Sequence, residues 1–256
     1  MKPKMHIASC SFGKDSIATI LLALENGEPL DRVVFAEVMF DHARNISGEI
    51  PEHIAWVYGT AIPKMEEMGV VVDVVRAKKD YVYYFTNHVK KGGKYEGKIS
   101  GFPIGGRCYL NKDCKVVPIR EYCRSFQDVE IVEYIGIAKD EPKRLARLKK
   151  NKISLLDKYG YTEKMAMAKC EEYGLISPLY NVGQRGGCWF CMNNKIQFYV
   201  HLRKEHPELW NELRELSKTP NLCCYGFKYG KTVQEVEKQM DEFEFFNKRQ
   251  LNLFEV

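Results

Sequence analysis

Two groups of residues in this chain have types and spacings suited to chemistry. The first is Ser11-Phe12-Gly13-Lys14-Asp15-Ser16, which follows the apolar run His6-Ile7-Ala8-Ser9-Cys10 and precedes Ile17, Ile20, Leu21 and Leu24 at helical spacing. A small-residue turn between a strand and a helix aims backbone N–H groups and the positive end of the helix dipole at one point, where an anion such as phosphate is stabilised. Lys14 adds a mobile cation, and Ser11 and Ser16 add hydroxyl donors. The competing reading is a surface turn with a serine or aspartate helix cap.

The second group is Gly186-Gly187-Cys188-Trp189-Phe190-Cys191. Two cysteines separated by two residues reach one tetrahedral metal or cluster without backbone strain, and the glycines let the chain turn tightly around it. One such pair is half a site. Cys108 and Cys114, which flank Tyr109 to Asp113, are candidates for the other half, ahead of Cys170, Cys223 and Cys224. A thioredoxin-type redox dithiol and two unrelated buried cysteines are the alternatives.

The elements that position these groups alternate. After the loop and its helix come the strand Arg32 to Met39, a helical stretch near Pro51 to Gly69, the β-branched run Val70 to Val75, and a fourth strand over Val129 to Ile137. Strands separated by helices imply a parallel sheet with right-handed crossovers, covered on both faces, that is, a Rossmann-like α/β fold. Ligands in such sheets bind beyond the carboxyl ends of the strands. The loop at Ser11 to Ser16, Asp41 and the Gly136 to Arg144 segment are therefore expected to converge on one crevice. Between the third and fourth strands lies a long excursion, Tyr81 to Phe126, of the size usually functional or lid-like. From about Asn151 the pattern turns helical, with Leu209, Leu213 and Leu216 on one apolar face and Val233, Val236, Met240 and Phe243 on another. The expected organisation is a nucleotide-binding α/β domain over 1–150 and a helical C-terminal lobe over 151–256 carrying the Cys-x-x-Cys.

Composition sets the frame. The chain's 256 residues are 45% hydrophobic, enough for a full core without disulfides. With 39 basic and 34 acidic residues the net charge is +5, which permits a nucleic-acid partner without demanding one. No run of 18 apolar residues occurs, and Met1-Lys2-Pro3-Lys4 leads directly into a strand, so a soluble, cytoplasmic protein with no membrane partner is expected. Nine cysteines in a reducing compartment point to metal ligands or reactive thiols rather than disulfides.

The loop lacks the four residues that the common P-loop places before its Gly-Lys-Ser/Thr end. It resembles instead the pyrophosphate loop of the N-type ATP pyrophosphatases, the adenine nucleotide alpha hydrolase superfamily, whose usual form is Ser-Gly-Gly-x-Asp-Ser; Phe12 departs from that form at its first glycine. Within the superfamily the chain is similar over most of residues 6 to 195 to the branch of the phosphoadenosine phosphosulfate (PAPS) and adenosine phosphosulfate reductases. The matches are the loop; Cys114-Lys115-Val116-Val117-Pro118-Ile119, like that branch's Arg-Lys-x-x-Pro-Leu; Gly136 to Arg144; and Pro178-Leu179-Tyr180 followed by Gly187-Cys188-x-x-Cys191. Two departures stand out. Leu110-Asn111 replaces the tandem Cys-Cys that completes a four-iron four-sulfur cluster in adenosine phosphosulfate reductases, and the Glu-Cys-Gly-x-His tail of the assimilatory enzymes is missing.

The resemblance implies a HUP-type fold, ATP (or PAPS or adenosine phosphosulfate) as nucleotide, Mg²⁺, and a four-iron four-sulfur cluster on Cys188 and Cys191, with zinc as the alternative metal; Cys108 and Cys114 stand close to the place of the missing tandem and are expected to substitute for it, with Cys170 as the alternative to Cys114. It implies attack on the α-phosphate, with Lys14 and the loop amides stabilising the pyrophosphate side and Asp15 organising metal and nucleotide. Asp41 is expected near the adenosine, Gly136 and Ile137 as backbone contacts to adenine, and Arg144 at the phosphates, although a solvated helix start explains Asp140-Glu141-Pro142 equally well. The leading function is ATP-dependent adenylation of an acceptor with sulfur transfer, a nucleic-acid acceptor being compatible. The alternatives are a thiol-dependent reductase of PAPS or adenosine phosphosulfate, and a non-catalytic nucleotide or nucleic-acid binding module in which Tyr81, Tyr83, Tyr84 and Phe85 stack on bases. Separately, Gln250-Leu251-Asn252-Leu253-Phe254 resembles the short peptide by which bacterial replication and repair proteins dock on the β sliding clamp; packing of its apolar residues onto the protein's own surface is the alternative.

Overall fold

The computed structural model describes residues 2–103, 108–182 and 186–253. In chain order the elements are β1 (Lys4–Ser9), α1 (Lys14–Glu25), β2 (Arg32–Glu37), β3 (Met39–Asp41), β4 (Ile46–Ser47), α2 (Pro51–Trp56), α3 (Ile62–Glu67), β5 (Val72–Arg76) and α4 (Tyr81–Asn87). There follow α5 (Val117–Ser125), β6 (Glu130–Ile135), α6 (Pro142–Leu145), β7 (Lys152–Ile153), α7 (Leu155–Lys158), α8 (Glu163–Glu172), α9 (Ile196–Glu205), α10 (Pro207–Ser217) and α11 (Val233–Leu253). The chain divides into two compact units: residues 1–39, 49–78 and 112–187 form the first, and residues 40–48, 79–111 and 188–256 the second.

The first unit is built on a five-stranded sheet in the order β5-β2-β1-β6-β7, parallel throughout. The order reverses between β1 and β6, which pair in register from Lys4 with Glu130 to Ser9 with Ile135. That reversal is the point at which open parallel sheets take ligands, because neighbouring connections leave in opposite directions and open a crevice. Strand side chains alternate between faces. Ala8, Val33, Phe35, Val132 and Tyr134 enter one core with α1, in which every residue from Ser16 to Ala23 is buried. On the opposite face α5 packs on β2 and β5.

A π turn, Val57–Ala61, joins α2 to α3, and another, Asn111–Val116, precedes α5. Each lies just ahead of a proline, Pro63 or Pro118. Proline lacks an N–H and crowds the carbonyl four residues back, and a widened turn accommodates both defects without breaking the helix.

The second unit contains the β3–β4 ribbon, α4 and the helices α9, α10 and α11. Its core is aromatic. Phe40 lies 4.6 Å from Trp189 and Tyr81 stacks on Phe190 at 4.2 Å between ring centroids. Trp189 is pinned by its backbone N–H on the Gly48 carbonyl and its indole N–H on the Ser47 carbonyl, both at 3.0 Å.

This partition differs from a boundary at residue 150. Residues 151–187 complete the first unit, because β7 extends the parallel sheet beside β6 and α7 and α8 pack on α1. Segments 40–48 and 79–111 belong to the second unit, so the long excursion is divided between the two. No described helix is long and apolar enough to cross a membrane. In the clamp-like segment the backbone is helical to Leu253, while Phe254 and the side chains of Gln250 to Leu253 lie outside the described residues.

Candidate active site at the carboxyl edge of the sheet

The loop after β1 is held by its own polar groups. Phe12 has a φ of 56°, the left-handed region that costs a non-glycine residue about 1–2 kcal/mol. Its ring is fully buried against Phe35, edge-on at 5.2 Å, and burial of a phenyl side chain contributes about 1.5–3 kcal/mol. A backbone that favours glycine is thus held by a packed aromatic. The Phe12 N–H donates to Cys10 Sγ at 3.3 Å, the Ser11 N–H to Ser16 Oγ at 3.3 Å, and the Ser16 hydroxyl to the Gly13 carbonyl at 2.9 Å. The Lys14 N–H donates to the Tyr180 hydroxyl oxygen at 2.9 Å. Among the described residues the N–H groups of Gly13 and Asp15 have no protein acceptor, and they sit at the positive end of α1.

Lys14 Nζ lies between two carboxylates, 2.7 Å from Asp15 and 2.9 Å from Glu163. Burial alone would lower the Lys14 pKa, but the bonds to Asp15 and Glu163 carry it above its ordinary value. Burial raises the Asp15 pKa against the pull of Lys14, with Glu163 and Glu141 adding to the rise. An arriving anion competes with these carboxylates for the ammonium.

Behind the loop stands His53 from α2, 1% exposed. Its Nε2 is 3.1 Å from the Ser11 carbonyl oxygen and its Nδ1 is 2.8 Å from Ser177 Oγ. A carbonyl only accepts, so Nε2 carries the proton and Nδ1 accepts from the serine hydroxyl. Burial, against the nearby Glu49 charge, keeps the His53 pKa below its ordinary 6.5, so the ring is neutral at neutral pH.

A crevice of about 160 Å³ opens at the strand-order reversal, lined by Ser9, Ser11, Ser16, Gly136, Ile135 and Lys115 among others. Lys115 is its ammonium and pairs at 3.0 Å with the buried Glu49. Gly136 is required by close approach: a Cβ there would stand 2.7 Å from Asp15 C and from Ser16 N, inside the first turn of α1. At Gly13 an added Cβ would meet only ordinary contacts, Tyr180 Oη at 3.5 Å and Ser11 Oγ at 3.6 Å.

The loop residues and Gly136 lie together, Gly136 against the backbone of Asp15 and Ser16, and the other predicted residues have partners of their own. The Ile137 N–H bonds the Ile135 carbonyl and its own carbonyl accepts from Ser154, so both backbone groups have partners. The Arg144 guanidinium forms a pair with Glu141 at 2.6 Å and is half-exposed. Asp41 belongs to the second unit, where it pairs with Arg44, which in turn grips Glu212 through two nitrogens. Sequence reading missed His53, Glu49, Lys115, Glu163 and Tyr180. Lys115 and Tyr180 lie inside motifs quoted above, and nothing local marks the other three.

Of the four candidate metal cysteines, Cys108, Cys188 and Cys191 line one small cavity of the second unit, together with Phe190 and Met192. Cys114 belongs to the first unit and is 1% exposed. Cys170, the other candidate for the fourth ligand, is also in the first unit; its thiol donates to the Lys14 carbonyl, and burial pushes its pKa up to about 12. Thiolate donors suit zinc or an iron-sulfur cluster. Among the described residues, no three His, Cys, Asp or Glu side chains already stand as a closed coordination group.

The chain matches no known family profile, and none of the curated proteins matches it. Among solved structures it is similar to the U34-tRNA thiolase NcsA from Methanococcus maripaludis with its 4Fe-4S cluster, at 17% identity and a TM-score of 0.40, over 93% of this chain and 82% of that one.

Proposed function

We propose that the protein is an ATP pyrophosphatase that adenylates an acceptor and transfers sulfur to it. The observation that carries this reading is the loop after β1, which carries two N–H groups without protein acceptors at the positive end of α1 and, through Ser11 and Ser16, lines the crevice at the strand-order reversal. Such an array fits the β- and γ-phosphates of a nucleotide. In the reaction the acceptor oxygen attacks the α-phosphorus, the α–β bond breaks, and pyrophosphate leaves with its charge held by the loop amides and Lys14. A sulfur nucleophile then displaces AMP from the activated carbon.

Positioned donors are most effective where charge develops, and here they act on the leaving pyrophosphate. His53 fixes the Ser11 carbonyl and Tyr180 fixes the Lys14 N–H, so the cradle is preorganised. Asp15 and Glu163 offer the hard oxygen donors that Mg²⁺ prefers, and would hold it once Lys14 moves to the phosphates. Cys108, Cys188 and Cys191 would hold an iron-sulfur cluster, which would supply the sulfur-handling chemistry. The chain's own residues bind the nucleotide, orient its α-phosphate and neutralise the leaving group.

Pyrophosphate release from ATP, measured with a panel of candidate acceptors, tests the reading. The protein is expected to release pyrophosphate with the true acceptor, and Lys14→Ala to abolish that release while leaving the fold intact. Unchanged release in the variant would remove the loop from the mechanism.

A further inference from the structure

On the face of the sheet that carries α5, the described residues of the first unit leave part of β6 and β7 open. α5 packs on β2 and β5, and beside it a groove of about 430 Å³ runs over β6 and β7, floored by Ile119, Ile131 and Ile135, which are only partly buried. Parallel sheets normally have both faces covered, so an apolar strip of this kind calls for an occupant. The groove shares Ser9, Ile119 and Ile135 with the crevice and so runs on from it.

Its rim is basic on both sides. One wall carries Arg120 and Arg124, one helical turn apart on α5, and the other carries Lys149 and Lys152. The second wall is the end of a segment, Pro142 to Lys152, with basic residues Lys143, Arg144, Arg147, Lys149, Lys150 and Lys152 and no acidic one. Lys152 is neutralised by Glu133 at 2.7 Å and Arg144 by Glu141. Among the described residues, Arg120, Arg124, Arg147, Lys149 and Lys150 have no acidic partner, and all five are exposed.

We propose that this groove holds a single-stranded polynucleotide, with its phosphodiester backbone on the two basic walls and an unstacked base on the isoleucine floor, leading the strand to the crevice. The walls supply cations for successive phosphates and the floor supplies an apolar surface that a paired base could not reach. A cavity of this size suits one nucleotide. The inference rests on the proposed function, whose acceptor it names as nucleic acid.

Fluorescence anisotropy of the full chain with a labelled single-stranded 12-mer, made as DNA and as RNA, provides the test. Arg120→Glu with Arg124→Glu is expected to weaken binding by about tenfold or more and to reduce the slope of log K against log salt by about 1.4, two contacts at about 0.7 each. Lys149→Glu, on the opposite wall, should act in the same direction. Binding of α,β-methylene-ATP and Tm should not change, which separates loss of the strand from misfolding and from failure of the nucleotide reading. A preference for either sugar, or for neither, supports the proposal. Unchanged strand affinity in the variants, tighter binding of a duplex of equal length, equal competition by poly-glutamate, or displacement of the strand by AMP would each overturn it. Loss of pyrophosphate release in Lys14→Ala with strand binding retained would leave the two conclusions independent.

Discussion

Gly136→Ala is the smallest change that tests how the cradle is built. The added Cβ would lie 2.7 Å from Asp15 C and Ser16 N and 2.8 Å from Asp15 O, whereas ordinary contact begins at 3.4 Å. The neighbours are backbone, so relief requires the first turn of α1 to move away from β6 by about 0.7 Å. Overpacking of this kind costs about 1–3 kcal/mol of stability. The same displacement shifts the Asp15 N–H and the Lys14 side chain relative to the crevice, and a misplacement approaching 1 Å can cost on the order of a hundredfold in rate. Gly13→Ala is the control, because its Cβ meets only contacts of 3.5 and 3.6 Å and its φ of −82° suits any residue. Thermal unfolding and calorimetric titration with α,β-methylene-ATP should show a lower Tm and weakened binding for Gly136→Ala, and little change in Tm for Gly13→Ala. A Gly136→Ala protein with wild-type Tm and wild-type affinity would refute the claim that β6 positions the loop through this contact.

Phe12→Ala should destabilise the fold by about 3–5 kcal/mol, because it removes a buried ring while keeping a backbone that favours glycine; denaturant unfolding measures it, and a loss below about 1 kcal/mol would contradict the packing account. His53 holds a depressed pKa, so as pH falls below its ordinary 6.5 the unfolded chain binds a proton that the folded chain resists, and stability must fall. Unfolding free energy measured between about pH 7 and 5.5 should drop less steeply in His53→Gln than in the parent, and parallel curves would rule out this contribution. Anaerobically purified protein should carry about four irons per chain and lose them in Cys188→Ser with Cys191→Ser; one zinc per chain would instead mark a structural site, as would a metal content unaffected by the substitutions.

Much of the sheet was legible because local signals and tertiary structure agree. The run before Ser11, the β-branched run before Arg76 and the helical spacing after Asp15 each encode one element, and a strand–loop–helix unit needs little else to place its loop at a sheet edge. Gly136 was read as a site residue for a different reason from the one the structure gives: it is small because the first turn of α1 lies against it. Asp41 shows where local reading ends. The strand read over Arg32 to Met39 is β2, which stops at Glu37, and Asp41 closes the separate strand β3 and pairs with Arg44 within the second unit. His53 and Glu163 reach the loop from 42 and 149 positions away in the chain, and no pattern near either of them records that approach. The division into units was hidden for the same reason, since β7 and α8 join the first unit through long-range pairing.

The central claim is that the loop after β1 grips a nucleotide's phosphate tail. A crystal structure of the protein with α,β-methylene-ATP and Mg²⁺ tests it most directly. The account predicts β- and γ-phosphate oxygens on the Gly13 and Asp15 N–H groups, with Lys14 Nζ turned from Glu163 to the phosphates. A triphosphate bound anywhere else, or a cradle still closed by the Lys14–Glu163 pair at saturating nucleotide, would contradict it.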